Sequence, residues 1–280
     1  MARWLVSSNM YWQEVSGNWF LVPQQPRAII HFLGGAFVAA APHLTYRWLL
    51  EALYQEGYAV ISTPFVNTFD HSAIALEVLT TFEQGLTYLR KQKPEIRSLP
   101  VYGVGHSMGC KVHLLIGSAY PAKRAGNIFI SFNNFPARKS IPLLEQALQQ
   151  AKQIVPDFQL DTRLEFIPSP EKTLDLISTQ YDTCYNLLIK FRNDNIDQTR
   201  PLSDVLIQRF PTTTTVRILK GTHTTPIAQD LPLINSWTTN KWESDRSFGP
   251  LDALGQFVKQ EFYRDLNTLK AEILYWLSGE

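Results

Sequence analysis

Apolar residues recur in two rhythms along this 280-residue chain. Short runs rich in β-branched and aromatic residues alternate with longer segments of helical spacing. That alternation predicts parallel strands joined by crossover helices. The strand runs are RAIIHFL (27–33), YAVIST (58–63), LPVYGV (99–104), NIFISF (127–132), NLLIKF (186–191) and TTTVRIL (213–219). Ahead of them, Ser16-Gly17-Asn18 predicts a turn between two short strands within residues 4–23. Helical spacing predicts helices over His43–Glu56, Ala73–Lys91, Met108–Tyr120 and Leu251–Leu277. Gly57 and Pro121 stand just past two of them as stop signals. The fold class is therefore α/β, with a mostly parallel central sheet flanked by helices.

The rhythm stalls over residues 133–185. A helical patch, Leu143–Ile154, is followed by Pro156, Pro168 and Pro170 in mixed sequence. The segment is too long and too apolar for a plain loop, so it reads as a cap inserted into a single domain spanning 1–280. Phe135, Leu144, Leu148, Phe158 and Phe166 could pack down on the body or line an apolar pocket beneath the cap.

Composition narrows the function classes. The chain is 45% hydrophobic and 18% charged, enough apolar material for one large core. Its 26 basic and 25 acidic side chains leave a formal charge of +1, so no nucleic-acid partner is expected. Two cysteines, Cys110 and Cys184, make no disulfide framework and fit a reducing compartment. No secretory signal and no apolar run of about 18 residues is visible, so a cytoplasmic protein without a transmembrane segment is expected. No Cys or His spacing suits zinc. The glycines at 103 and 105 do not complete a dinucleotide turn, because Met108 occupies the third glycine position. Neither cofactor nor metal is expected, and the sequence implies no particular oligomeric state.

The sharpest chemical signal is Gly105-His106-Ser107-Met108-Gly109, a G-x-S-x-G pattern between a predicted strand and a predicted helix. Serine is a weak nucleophile until a base takes its proton. A tight strand-to-helix turn lifts its Oγ off the sheet edge, and flanking glycines permit the close approach such a turn needs. The helix that follows aims its first N–H groups at the same spot. A base is expected late in the chain, and His223, directly after the last predicted strand, fits that place. An acid is expected after the preceding strand. Asp194 is the first candidate there and Asp197 the alternative, the latter also suited to capping the next helix. Two backbone N–H groups should hold an oxyanion. Met108 supplies one candidate, and Gly35 or Ala36, in the glycine pair after the strand at 27–33, the other. His106 in the variable position of the turn, His71 and Phe37 are candidate substrate contacts. Asp70 reads as the cap of the helix that follows it.

In this order, these residues resemble the α/β-hydrolase superfamily over nearly the whole chain. FLGGAF (32–37) is similar to the histidine-glycine-glycine-glycine loop of lipases and esterases, with Leu33 in place of the histidine and Ala36 in place of the last glycine. FLGGAF, TFDH (68–71), GHSMG (105–109) and RNDNIDQT (192–199) together resemble an uncharacterised hydrolase-like family of cyanobacteria and plant plastids. The resemblance implies an α/β-hydrolase fold and hydrolytic chemistry without naming a substrate. The apolar residues of the cap segment point to a small-molecule or lipid-like acyl substrate, an ester or thioester. Two other readings remain open: a non-catalytic accessory or ligand-binding protein of the same fold, and an acyltransferase or carbon–carbon lyase using the same residues.

Overall fold

The computed structural model describes residues 11–36, 38–137, 165–227 and 250–279. An eight-stranded sheet forms the centre, in the order β1-β2-β4-β3-β5-β6-β7-β8. The strands are β1 (Gln13–Val15), β2 (Asn18–Leu21), β3 (Ala28–Leu33), β4 (Tyr58–Ser62), β5 (Val101–His106), β6 (Gly126–Ile130), β7 (Asn186–Phe191) and β8 (Thr214–Leu219). β1 and β2 form an antiparallel hairpin, with Ser16 and Gly17 both at positive φ, and β2 runs antiparallel to β4. Every pairing from β4 to β8 is parallel. β3, β4 and β6 are buried along their full length. Burial on both faces explains why these strands read as unbroken apolar runs.

The helices are α1 (Pro42–Thr45), α2 (Arg47–Gln55), α3 (His71–Gln92), α4 (Met108–Ala119), α5 (Pro170–Gln180), α6 (Thr199–Arg209) and α7 (Pro250–Ser278). On one face of the sheet, Leu49, Leu50 and Leu53 of α2 and Leu266, Leu269 and Ile273 of α7 pack on Ile30, Val60, Ile128 and Ile189. On the other, Phe82 and Leu86 of α3 pack on Ile29 and Ile61. Beside them, Leu114 of α4, Ile177 of α5 and Leu202 of α6 pack on Phe129 and Leu188. α4 is buried around nearly its whole circumference, because α3 lies along one side of it and α5 along the other.

Two local expectations are modified. The helix read over 43–56 is two helices broken at Tyr46, whose backbone (φ −112°, ψ 18°) leaves the helical path and whose ring is fully buried. β5 runs on to His106, right up to the serine turn. Within the segment read as a cap, residues 138–164 lie outside the described residues, and so does the helical patch at 143–154. The described remainder includes α5, which is capped by the Ser169 hydroxyl and packs against α4. Asp70 caps α3 as expected, accepting from the Ala73 N–H at 2.9 Å.

Candidate active site

A parallel sheet directs every loop that leaves a strand's C-terminal end to one edge. The turns after β3, β5, β7 and β8 therefore meet there, and they carry Gly35, Ser107, Asp194 and His223.

Ser107 sits between β5 and α4 with φ 54° and ψ −118°. A non-glycine residue in that region costs about 1–3 kcal/mol and persists only when its surroundings enforce it. Here they do. The Ser107 N–H donates to the Ile130 carbonyl of β6 at 2.9 Å, and the Cys110 N–H donates to the Ser107 carbonyl at 3.1 Å. A Cβ at Gly105 would lie 2.6 Å from the Cys110 nitrogen, and one at Gly109 would collide with the Leu33 carbonyl oxygen. Only hydrogen fits at either position. Cys110 is wholly buried beneath the turn, its thiol donating to the Gly105 and Ile130 carbonyls, and burial pushes its pKa up.

His223 Nε2 lies 3.0 Å from Ser107 Oγ, and His223 Nδ1 lies 2.8 Å from Asp194 Oδ2. A carboxylate only accepts, so Nδ1 carries the proton and Nε2 presents a lone pair to the serine hydroxyl. Asp194 is buried, and burial alone would raise its pKa. The hydrogen bond and positive charge available from His223, with the Ile196 N–H donating at 3.1 Å, outweigh that and hold it below the usual carboxylate value. The Asn193 N–H donates to the Gly221 carbonyl at 3.1 Å, tying the acid's turn to the histidine's. Asp197 is engaged elsewhere. Its carboxylate accepts from Lys190 Nζ at 2.8 Å and from the Thr199 N–H and hydroxyl at the start of α6. Asp194 is thus the carboxylate brought to His223, and Asp197 anchors a helix.

The Met108 N–H is the first of α4, directly after Ser107, and makes no hydrogen bond among the described residues. Of the other two candidate donors, the Gly35 N–H is already committed. It donates to the Tyr46 hydroxyl at 2.8 Å, which leaves the Ala36 N–H as the donor available from that loop. His106 borders the space beside Ser107. It is almost fully buried, with Nδ1 2.7 Å from the Tyr46 hydroxyl and Nε2 2.9 Å from the His223 carbonyl oxygen. The carbonyl fixes a proton on Nε2, so Nδ1 accepts from the tyrosine hydroxyl. Burial, reinforced by the nearby His223, lowers the His106 pKa to about 3 and keeps the ring neutral. Both ring nitrogens are consumed inside the protein, so neither is left for a substrate. Gly35, Tyr46, His106 and His223 form one hydrogen-bonded chain from the β3 loop to the β8 loop. Phe37 lies outside the described residues.

A cavity of about 420 Å³ opens over Ser107. Met108, Val38, Phe135, Phe166 and Ile227 give it apolar walls, while His71, Lys111, Asn67 and Asn134 form a polar one. His71 thus reaches the site, stacked on Phe166 with ring centroids 4.2 Å apart. Sequence reasoning missed two residues. Tyr46 gave no signal, because its role depends on a helix break that periodicity hides. Lys111 did give one: it is the single charge in a mostly apolar helix, MGCKVHLLIGSA, that is buried on nearly all sides.

Such an array can transfer a proton from a hydroxyl to an imidazole and hold the imidazolium that results. Solved structures of low sequence identity share the fold. The esterase Pf2001 of Pyrococcus furiosus is 15% identical with a TM-score of 0.53, over 87% of this chain and 85% of that one. The apoenzyme of S-formylglutathione hydrolase (FrmB) from Staphylococcus aureus is 15% identical with a TM-score of 0.50, over 77% and 93%. TT1662 from Thermus thermophilus is 14% identical with a TM-score of 0.50, over 83% and 100%. The fold is that of the α/β-hydrolases. No curated protein sequence matches the chain. Among the described residues no helix is long and apolar enough to cross a membrane. Residues 11–279 match the family described as protein of unknown function, DUF1350, and with almost the whole chain covered this protein belongs to that family.

Proposed function

We propose that this protein is a serine hydrolase that cleaves an acyl ester or thioester through an acyl-enzyme, without a cofactor. The observation that carries the reading is the continuous array Ser107 Oγ–His223 Nε2, His223 Nδ1–Asp194 Oδ2, at 3.0 and 2.8 Å. As His223 takes its proton, the Ser107 oxygen attacks the carbonyl carbon. The carbonyl π pair moves to oxygen, whose negative charge the Met108 and Ala36 N–H groups are the candidates to hold. Collapse of that intermediate expels the alcohol or thiol, which takes the proton back from His223. Water, deprotonated by the same imidazole, then releases the acid and restores Ser107. Asp194 keeps the ring in the tautomer with the bare Nε2 and stabilises its charged form. The largely apolar cavity suits an acyl chain.

The test is a panel of p-nitrophenyl esters and acyl thioesters of graded chain length, run beside a fluorophosphonate probe. Wild type is expected to turn over members of the panel and to gain a covalent adduct on Ser107. Ser107→Ala is expected to lose both, with kcat falling by roughly 10⁴-fold or more. A folded wild-type protein that takes no adduct, beside a hydrolase that labels under the same conditions, rules the reading out. Release of free acid, rather than transfer to an added alcohol or amine, separates hydrolysis from acyl transfer.

A further inference from the structure

Lys111 lies one helical turn beyond Ser107, about 6 Å along the axis of α4, and borders the same cavity. It is 1% exposed. An ammonium has three N–H donors. One is used, on the Pro168 carbonyl at 3.1 Å, and Nζ lies over the Phe166 ring, 5.6 Å from its centroid. His71 stacks on the same ring and is 3% exposed, and among the described residues neither of its ring nitrogens has a hydrogen-bond partner. Buried polar groups are nearly always satisfied, and leaving one unsatisfied costs about 1–3 kcal/mol. A buried ammonium with N–H groups to spare and an imidazole without a hydrogen-bond partner therefore both border the pocket over the nucleophile.

No carboxylate borders the cavity among the described residues. Glu165 and Glu171 attract the Lys111 charge from outside the cavity but make their hydrogen bonds elsewhere: Glu165 accepts from the Ala137 and Phe166 N–H groups, and Glu171 from the Ser169 hydroxyl. The carboxamide oxygens of Asn67 and Asn134, which also line the cavity, are buried without hydrogen-bond partners among the described residues, so a donor group of a ligand can find acceptors there.

We infer that Lys111 and His71 form a subsite for an anionic group of the substrate, a carboxylate or phosphate carried a few bonds from the scissile carbonyl. The inference rests on the hydrolase reading and names the substrate class within it. The anion accepts from the two spare N–H groups of Lys111 and from the one N–H of a neutral His71. The apolar walls take the chain between anion and carbonyl. An anion beside the ammonium also offsets the burial that otherwise lowers the lysine's pKa to about 7.

The anion can belong to the acyl part or to the leaving group, and paired substrates separate the two. For the acyl part, p-nitrophenyl hemiglutarate is compared with p-nitrophenyl valerate, its neutral counterpart of equal chain length. For the leaving group, butyryl glycerol phosphate is compared with monobutyrin. In one pair kcat/KM is expected to favour the anionic member by roughly tenfold or more, as a charge-assisted hydrogen bond supplies. Lys111→Met keeps the apolar stem and should collapse that ratio towards one. Equal rates within both pairs, or a preference that survives in Lys111→Met, overturns the subsite. If neither pair is turned over and no fluorophosphonate adduct forms, the hydrolase reading fails by itself. The subsite is then decided by calorimetric titration of wild type and Lys111→Met with glutarate and with glycerol 3-phosphate. Binding by wild type that weakens at least tenfold in the variant supports it, and no binding to wild type, or equal binding to both, ends it.

Discussion

Two aspartates three residues apart in one loop, Asp194 and Asp197, have taken separate tasks, and amide substitutions should separate them in the test tube. Asp194→Asn keeps the shape but can donate to His223 Nδ1, which favours the wrong tautomer. Ester turnover is expected to fall about 10³- to 10⁴-fold with little change in melting temperature. Asp197→Asn should do the opposite. Removing the charge from a buried side chain that holds Lys190 and the start of α6 is expected to cost on the order of 2 kcal/mol in a denaturant titration while turnover survives. Tyr46→Phe removes the hydroxyl that joins the Gly35 N–H to His106. Two buried polar groups then lose a partner, so about 2 kcal/mol of stability should go, and kcat should fall as the β3 and β8 loops loosen.

At the scale of elements, the turn between β5 and α4 concentrates the constraint. Gly109→Ala forces a methyl group into the Leu33 carbonyl of the neighbouring strand. Backbone cannot yield there without parting β3 from β5, and a loss of more than about 3 kcal/mol, or failure to fold, is expected by thermal denaturation. The elements themselves were legible in the chain wherever a run had one period. β3, β4 and β6 are uniformly buried, and α3 keeps a clean apolar stripe. The G-x-S-x-G pattern, the late histidine and a late aspartate could be read in order because each follows a strand. Asp194 could be put ahead of Asp197 by its place after the strand, but three residues of loop leave the side-chain direction open, so Asp197 stayed an alternative. The loss of Gly35 as an oxyanion donor could not be read in the chain. It depends on Tyr46, a tertiary contact made possible by a break in a segment whose hydrophobic spacing continues as though unbroken.

For the whole molecule, the sheet's parallel order brings together residues separated by more than a hundred positions, and it also encloses Lys111. That lysine titrates at about 7 in the fold against an ordinary value of 10.5, because burial outweighs the pull of Glu165 and Glu171. His71, stacked on Phe166, adds no charge there: burial first, then the lysine itself, hold its pKa near 3. The folded state therefore binds fewer protons at Lys111 than the unfolded state between those two pH values. The cost of burying the lysine is full below pH 7 and fades as the pH rises towards 10. Lys111→Met should consequently raise the melting temperature at pH 6, by about 5 °C for a gain near 2 kcal/mol, and the gain should shrink steadily towards pH 10.

The two thiols differ in access: Cys184 is exposed, while Cys110 is sealed under the serine turn between β5 and β6. A colorimetric disulfide reagent should accordingly consume one equivalent at once and the second only as fast as that turn opens. The slow phase is a clock for the floor of the pocket, readable without any substrate in hand. A ligand that settles above Ser107 would announce itself by slowing it.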